Sequence, residues 1–215
     1  MFAHLRVLIV ALMTAGPAFA QTPAAAPDRP VKMVVLGDSL SAGLGLSATA
    51  AFPVRLQKAL NDKWIKVDMI NAGVSGDTSS GGRDRLDWSI PEGTEAVILE
   101  LGANDALRGV PLATTEANLR TIVEQSQAAH AKVLLIGMYV PPNYGPDYSQ
   151  KFHGVYEELS KEKKVPLVPF LLAGIENKPA MFQADQIHPT VQAQPLLLDN
   201  VWPNLKPLLG AAASK

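Results

Sequence analysis

The chain has 215 residues, of which 47% are hydrophobic and 18% charged, a composition typical of one folded domain rather than a disordered tail. Nineteen Lys and Arg against twenty Asp and Glu give a formal net charge of -1. With no block of like charge, nothing in the chain attracts nucleic acid or an anionic membrane. Cysteine is absent, which excludes disulfides, thiolate-bound metals and a cysteine nucleophile.

Residues 1–20 have the pattern of a secretory signal peptide. Arg6 precedes an uncharged run at 7–20, which ends on Ala18-Phe19-Ala20, the small-x-small pattern that signal peptidases cut. Because a bilayer-spanning helix needs about 20 apolar residues, this run is too short for one. We therefore predict export, with a periplasmic or secreted mature chain. A buried first strand or helix is the alternative interpretation.

The remainder divides into three predicted parts. Residues 21–30 are a Pro- and Ala-rich leader that we expect to be flexible, residues 31–208 form one domain, and residues 209–215 form a flexible tail. The mature chain has no candidate membrane segment, because three prolines interrupt its apolar run at 133–146.

Within residues 31–208, short apolar runs alternate with helical periodicity. Strands are predicted at 31–36, 66–70, 95–101, 132–137 and 165–168. Helices are predicted near 52–60, with Pro53 in the first turn, near 119–126, with Thr114 or Thr115 as the cap, at 147–163 and at 192–205. This alternation predicts an α/β fold in which helices cover both faces of a parallel sheet, a doubly wound three-layer sandwich.

Reactive residue types follow the predicted strands, at the edge where such folds bind ligands. Gly37-Asp38-Ser39-Leu40-Ser41 follows the first strand, Gly76 lies after the second, Asn104 follows the third, and Asp185 and His188 come after the fifth. These supply a hydroxyl, a glycine turn, a carboxamide and an Asp-x-x-His pair. Acyl transfer at neutral pH requires such groups as nucleophile, base, orienting group and oxyanion donors.

These blocks resemble those of the SGNH (GDSL) hydrolases, in the order expected of that family. The runs Gly37-Asp38-Ser39-Leu40-Ser41-Ala42-Gly43 and Ser75-Gly76-Asp77-Thr78-Ser79 are similar to the bacterial thioesterase I, lysophospholipase L1 and arylesterase group of this family. The resemblance implies a flavodoxin-like α/β/α sandwich around a central five-stranded parallel sheet. It also implies hydrolysis of fatty acyl esters or thioesters through a covalent acyl-enzyme.

The catalytic residues can also be argued from their chemistry. Ser39 is the predicted nucleophile, and a hydroxyl needs a neighbouring base to take its proton. His188 is the predicted base, since it is the one histidine expected in a loop at the site. The other three lie in the signal peptide (His4) or in predicted surface helices (His130 and His153). Asp185, three residues before His188, is predicted to accept its Nδ1–H and direct Nε2 toward Ser39.

The predicted oxyanion hole combines the backbone N–H groups of Ser39 and Gly76 with the side-chain amide of Asn104. Gly76 has no Cβ to block a substrate, and Asn104 offers two donors without a charge. A free carboxylate beside a developing oxyanion would oppose catalysis. We therefore interpret three neighbouring acids as turn and network residues: Asp38, Asp77 and Asp105.

Five loop residues are predicted to bind the substrate: Leu44, Leu107, Val110, Tyr139 and Pro141. Tyr139 stands where the resemblance implies an arginine in the best-known relatives. We therefore expect a preference for neutral or aromatic esters. No cofactor and no metal are predicted.

The favoured hypothesis is a monomeric serine esterase acting on a small-molecule acyl ester, a thioester or a lysophospholipid, with no nucleic-acid partner. Three alternatives use the same residues differently. The first is a carbohydrate O-deacetylase, and the second is an exported lipid-binding protein with an inactive site. The third, a metal hydrolase built on Asp38, Asp185 and His188, lacks a further strong ligand in the sequence.

Overall fold

A five-stranded parallel sheet runs through the middle of the protein. The computed structural model describes residues 29–140 and 142–213, so the predicted signal peptide and most of the leader lie outside the described residues. The strand order is β2-β1-β3-β4-β5. The strands are β1 (Val31–Gly37), β2 (Val67–Gly73), β3 (Ala96–Glu100), β4 (Lys132–Ile136) and β5 (Leu167–Val168).

Helices flank the sheet and complete the predicted sandwich. They are α1 (Ser39–Ala42), α2 (Phe52–Asp62), α3 (Ser79–Asp84), α4 (Leu86–Ser89), α5 (Ala103–Leu107), α6 (Leu112–Ala128), α7 (Pro146–Lys163) and α8 (Gln194–Leu205). Helix α2 packs against β2 and α8, whereas α6 packs against α3, α7 and β4. The predicted α/β/α class with a five-stranded parallel sheet is confirmed.

The central strands are buried along their length because helices cover them. All five residues of β3 are buried, as are four of the five in β4. Parallel strands covered on both faces require such continuous apolar runs. The sheet therefore forms the core, and its carboxyl edge is where polar loop residues come together.

Strand β2 is longer than its apolar run predicts. We expected it to end before Asn71-Ala72-Gly73, but pairing with β1 continues through Gly37 and Gly73. The Asn71 amide donates to the Ser41 carbonyl at 3.0 Å. A Cβ on Gly73 would lie 2.3 Å from the Ala42 nitrogen, so glycine is needed for α1 to pack here. Pairing and close packing extend the strand where polarity alone predicted its end.

The predicted cap of the long middle helix is wrong. Helix α6 begins at Leu112 after Pro111, rather than at Thr114 or Thr115. Thr115 is buried, and its hydroxyl donates to Asp105 at 3.1 Å. A tertiary contact therefore uses the hydroxyl that looked available for capping.

The chain remains packed against the core for a few residues after α8. A 3₁₀ helix spans Lys206–Ala213, and Leu208 and Leu209 are buried. The predicted flexible tail therefore has its first residue, Leu209, packed in the core; the flexibility of 210–215 stays a prediction. Among the described residues, no helix is long and apolar enough to cross a membrane.

The packing of α2 gives a matched test of the core. Leu56 is 1% exposed, whereas Val54 on the same helix is 41% exposed. We expect Leu56→Ala to lower the free energy of unfolding by about 2–5 kcal/mol, since it removes buried methyl groups and leaves a cavity. Val54→Ala is expected to change it by no more than about 0.5 kcal/mol. Urea unfolding measures both, and equal losses would contradict the placement of α2.

Candidate active site

Ser39 lies at the carboxyl edge of the sheet because a very short helix starts directly after β1. Asp38 caps this helix, and its Oδ1 accepts from the Leu40 amide at 3.0 Å. Gly43 ends the helix with a φ of 76°, a left-handed conformation that glycine adopts without strain. Ser39 is half-buried, so its hydroxyl is held by a rigid turn and can still meet a substrate.

His188 brings the end of the chain to this serine. Its Nε2 lies 2.8 Å from Ser39 Oγ, and its Nδ1 lies 2.7 Å from Asp185 Oδ2. An ionised carboxylate can only accept, so Nδ1 carries the proton and Nε2 is left as the acceptor for the Ser39 hydroxyl. The structure thus brings together the three residues predicted to be catalytic.

Asp185 is held by the loop that it helps to shape. Its Oδ1 accepts from the amides of Ile187 at 2.9 Å and His188 at 3.0 Å. These contacts, with the His188 amide contributing most and its imidazole next, lower the pKa of Asp185 to about 2. The carboxylate is therefore ionised at neutral pH.

Asn104 is hydrogen-bonded to the residue that precedes Ser39. It is the second residue of α5, and its Nδ2 donates to Asp38 Oδ2 at 3.0 Å. An amide nitrogen has two N–H groups. One is used to fix the side chain on Asp38, which leaves the other able to donate elsewhere.

Gly76 lies in a tight turn after β2. The Asp77 amide donates to the Val74 carbonyl at 3.0 Å, and Gly76 has a φ of 81°. Arg108, the residue that caps the end of α5, donates to the Gly76 carbonyl at 2.6 Å. The turn with Gly76 is therefore tied to the helix that carries Asn104, as a shared oxyanion hole would require.

The three neighbouring acids are used in hydrogen bonds, as predicted for network residues. Asp38 caps α1, and Asp77 pairs with Arg85 at 2.7 Å. Buried Asp105 accepts from the backbone and side chain of Ser79 and from Thr115. Together with the bond from Asn104 to Asp38, these contacts join the loops after β1, β2 and β3 to one another.

The predicted substrate residues lie at different depths. Leu44, Leu107 and Tyr139 are 45%, 51% and 49% exposed, and Val110 is half-buried. Pro141 lies outside the described residues. Leu107 is the last residue of α5 rather than a loop residue as predicted, whereas Leu44 and Tyr139 lie in separate loops at the carboxyl edge.

Two histidines differ from expectation. His130 follows α6 in an exposed turn with a φ of 64°, rather than within a surface helix. His153 is on α7 as expected but is only 9% exposed. The Tyr139 ring covers it, with ring centroids 3.9 Å apart and an interplanar angle of 14°. Helical periodicity did not show this stacking, because Tyr139 belongs to a loop.

Three residues at the site were missed in the sequence. Gln183 lies in the His188 loop, and its side chain donates to the Leu44 carbonyl at 2.7 Å. Arg108 supports the Gly76 turn, and Glu100 is fully buried below the nucleophile. A glutamate ending an apolar strand is itself a signal, since lone carboxyl groups are rarely buried.

Comparison with known proteins agrees with this geometry. The model of the GDSL-like Lipase/Acylhydrolase family matches residues 35–194. The chain is 47% identical over 178 residues to Esterase TesA of Pseudomonas aeruginosa, covering 82% of this chain and 89% of that protein. It is 41% identical over 208 residues to Thioesterase 1/protease 1/lysophospholipase L1 of Escherichia coli, covering 96% and 93%.

Further matches give the same result in sequence and in structure. An arylesterase of Vibrio mimicus is 38% identical over 178 residues, covering 82% of this chain and 89% of that one. The crystal structure of TesA superposes with a TM-score of 0.79 at 46% identity, covering 82% of this chain and 99% of that one. The chain therefore belongs to the GDSL-like lipase/acylhydrolase family and is a hydrolase.

Proposed function

We propose that this protein hydrolyses carboxylic esters of fatty acyl chains through an acyl-enzyme on Ser39. The observation that supports it best is the continuous hydrogen-bond chain from Asp185 through His188 to Ser39. Thioesters and lysophospholipids are further substrate classes, since a relative at 41% identity has both in its name.

The proposed reaction has two halves. Ser39 Oγ attacks the acyl carbon while its proton passes to His188 Nε2, and the tetrahedral oxyanion meets the N–H groups of Ser39, Gly76 and Asn104. Collapse expels the alcohol or thiol, which takes the proton from His188. Water then attacks the acyl-enzyme with His188 again as base, and this step releases the carboxylic acid and restores Ser39.

The charge on Asp185 supports both halves. Protonation of His188 makes an imidazolium beside a carboxylate 2.7 Å away, so the charge that develops is paired as it forms. Because Nδ1 is occupied by this contact, proton transfer takes place at Nε2 only. The same argument excludes Asp185 itself as the base, since the bond to Nδ1 keeps its carboxylate away from Ser39.

We also propose that the protein is exported and that cleavage follows Ala20. Both rest on the sequence pattern of residues 1–20. A monomer remains our prediction for the oligomeric state. Because the chain is a hydrolase, the hypothesis of an inactive lipid-binding protein is wrong.

Ser39→Ala provides the direct test of the nucleophile. We expect it to abolish the burst of p-nitrophenol from a medium-chain p-nitrophenyl ester and to lower kcat on the order of 10⁴- to 10⁶-fold. Stopped-flow absorbance measures the burst. Ser47→Ala is the matched control, because Ser47 is exposed and, among the described residues, its side chain is hydrogen-bonded only to Thr49, at 3.3 Å. A burst of wild-type size in Ser39→Ala would remove Ser39 from the reaction.

The pH dependence tests His188 as base. Protonated imidazole cannot accept the Ser39 proton, so kcat/KM should rise with pH across about pH 5–8, the range in which histidine titrates. The pKa of Asp185 is about 2, so its carboxylate does not titrate in this range and the rise should follow a single ionisation. Steady-state rates in constant-ionic-strength buffers measure it, and a flat profile would rule out His188 as the base.

Tyr139 is proposed to favour aromatic esters. Its ring is half exposed and is held by His153 on one side and, edge-on, by Phe170 at a centroid distance of 5.1 Å. A relative at 38% identity is named an arylesterase. Ring stacking contributes about 0.5–1.5 kcal/mol, so Tyr139→Arg should lower the ratio of kcat/KM for phenyl over ethyl esters by about 2- to 10-fold.

Tyr139→Phe serves as the control for this prediction, because it keeps the ring and should keep the ratio. An unchanged ratio in Tyr139→Arg would show that the ring does not select the leaving group.

A second panel, of acetyl esters, octanoyl esters and acetylated sugars, separates the fatty acyl esterase from the alternative carbohydrate O-deacetylase. Faster turnover of acetylated sugars than of octanoyl esters would favour the deacetylase.

A further inference from the structure

The reaction proposed above does not use the carboxyl group of Glu100, yet this group lies directly below the nucleophile. Glu100 is the last residue of β3 and is 0% exposed. Its Oε2 accepts from the Ser41 hydroxyl at 2.6 Å and from the Asp38 amide at 3.2 Å. Its Oε1 is buried and has no hydrogen-bond partner among the described residues.

The unequal hydrogen bonding of the two Glu100 oxygens does not suit an ionised carboxylate. In a carboxylate both oxygens share the charge, and a charged oxygen without a donor is very costly in a dry interior. In a carboxylic acid the two oxygens differ. Oε2, which accepts two hydrogen bonds, has the surroundings of the carbonyl oxygen, and Oε1 has those of the hydroxyl that carries the proton.

Asp38 shows the opposite arrangement. Both of its oxygens have donors: Oδ1 accepts from the Leu40 amide and Oδ2 from the Asn104 side chain, each at 3.0 Å. Burial raises the pKa of Asp38, while the hydrogen bonds from Leu40 and Asn104 lower it. Burial and the charge of Asp38 together raise the pKa of Glu100 well above its ordinary range. The pair therefore holds one negative charge, on Asp38.

The polar and titratable groups around Asp38 and Glu100 fit a single negative charge that is carried by Asp38. From the last loop, His188 lowers the pKa of Asp38. Arg85 donates to the carbonyl of Gly37, next to Asp38 in the chain, at 3.0 Å. Tyr156 from α7 is fully buried, and burial, followed by the charge of Asp105, raises the pKa of its phenol well above its usual range. An ionised Glu100 would add a second buried negative charge without a cation bonded to it.

We propose that Glu100 is a protonated, neutral positioning residue that holds Asp38 and Ser41 from below. Through Asp38 it fixes both the first turn of α1, which carries Ser39, and the amide of Asn104. As far as catalysis is concerned, this inference rests on the proposed function. The protonation state proposed for Glu100 does not depend on the proposed function.

Close packing supports the positioning role. A Cβ added to Gly37 would lie 2.5 Å from Glu100 Oε2 and 2.3 Å from Ser41 Oγ. The carboxyl group therefore fills the space left by the glycine before the nucleophile. Loss of the carboxyl group would leave the Asp38 amide and the Ser41 hydroxyl without their acceptor, so the turn would lose its support.

Infrared difference spectroscopy tests the protonation state without any substrate. We expect the wild-type protein to show the C=O stretch of one protonated carboxylic acid across about pH 5–8, where ordinary Asp and Glu are ionised. This band should be lost in Glu100→Gln and kept in Asp38→Asn. A wild-type spectrum without the band would overturn the proposal, as would a band lost only in Asp38→Asn.

Kinetics test the positioning role. Glu100→Ala removes the acceptor of two buried donors, which costs about 1–3 kcal/mol for a group left unpaired. We expect kcat for a p-nitrophenyl ester to fall about 5- to 150-fold with KM little changed. Glu100→Gln keeps an acceptor oxygen and an N–H in place of the O–H, and should retain kcat within about threefold.

The outcomes separate this inference from the proposed function. Wild-type kcat in Glu100→Ala, or an equal loss in Glu100→Gln, would overturn the positioning role. Where Glu100→Ala does not fold, Glu100→Gln and the infrared band decide. A wild-type protein without esterase activity that still shows the band would refute the proposed function and leave the neutral state of Glu100 intact.

Discussion

The hydrogen bond between His188 Nε2 and Ser39 Oγ joins residues 149 positions apart in the chain. Such a contact forms only where the start and the end of the domain meet, and the parallel sheet sets that place. Strand β1 lies between β2 and β3, so the loop with Ser39 lies between those that carry Gly76 and Asn104. The His188 loop then needs to reach only one position, the carboxyl edge above β1.

Buried polar groups keep this edge rigid. Asp38 links the cap of α1 to Asn104, and Asp105 links α3 to α5, while the exposed Arg108 adds a link from α5 to the Gly76 turn. Each is bonded across loops rather than within one. Since an unpaired buried polar group is costly, displacing one loop would leave groups unpaired in the next. The proposed oxyanion donors and the proposed nucleophile are therefore held in place before a substrate arrives, as electrostatic stabilisation of an oxyanion would require.

Charge is divided unequally within this small region. Asp185 is largely exposed, and the amides of its loop stabilise its ionised form. Glu100 is enclosed, with a single oxygen paired. Two carboxyl groups of nearly the same chemistry thus meet opposite environments on either side of the nucleophile. The exposed one can pair with a developing imidazolium, and the enclosed one can serve as a neutral support.

Sequence periodicity predicted the strands and the main helices because burial on both faces demands continuous apolar runs, and β1, β3 and β4 have them. It was less accurate where a partner decides the structure. Asn71 and Gly73 are polar or small and yet extend β2, because β1 pairs with them. Thr115 looked like a helix cap, but Asp105 takes its hydroxyl. His153 looked exposed, but Tyr139, from the loop that precedes α7, covers it.

What the chain determined by itself was the set of reactive groups and the strand ends that carry them, since residue type and local periodicity are properties of neighbours in sequence. The tertiary structure alone decided which groups touch, which oxygen of Glu100 lacks a donor, and that one N–H of the Asn104 side chain is bonded to Asp38. These features depend on burial and on partners dozens of residues away, because solvation and hydrogen bonding are set by the surroundings in space.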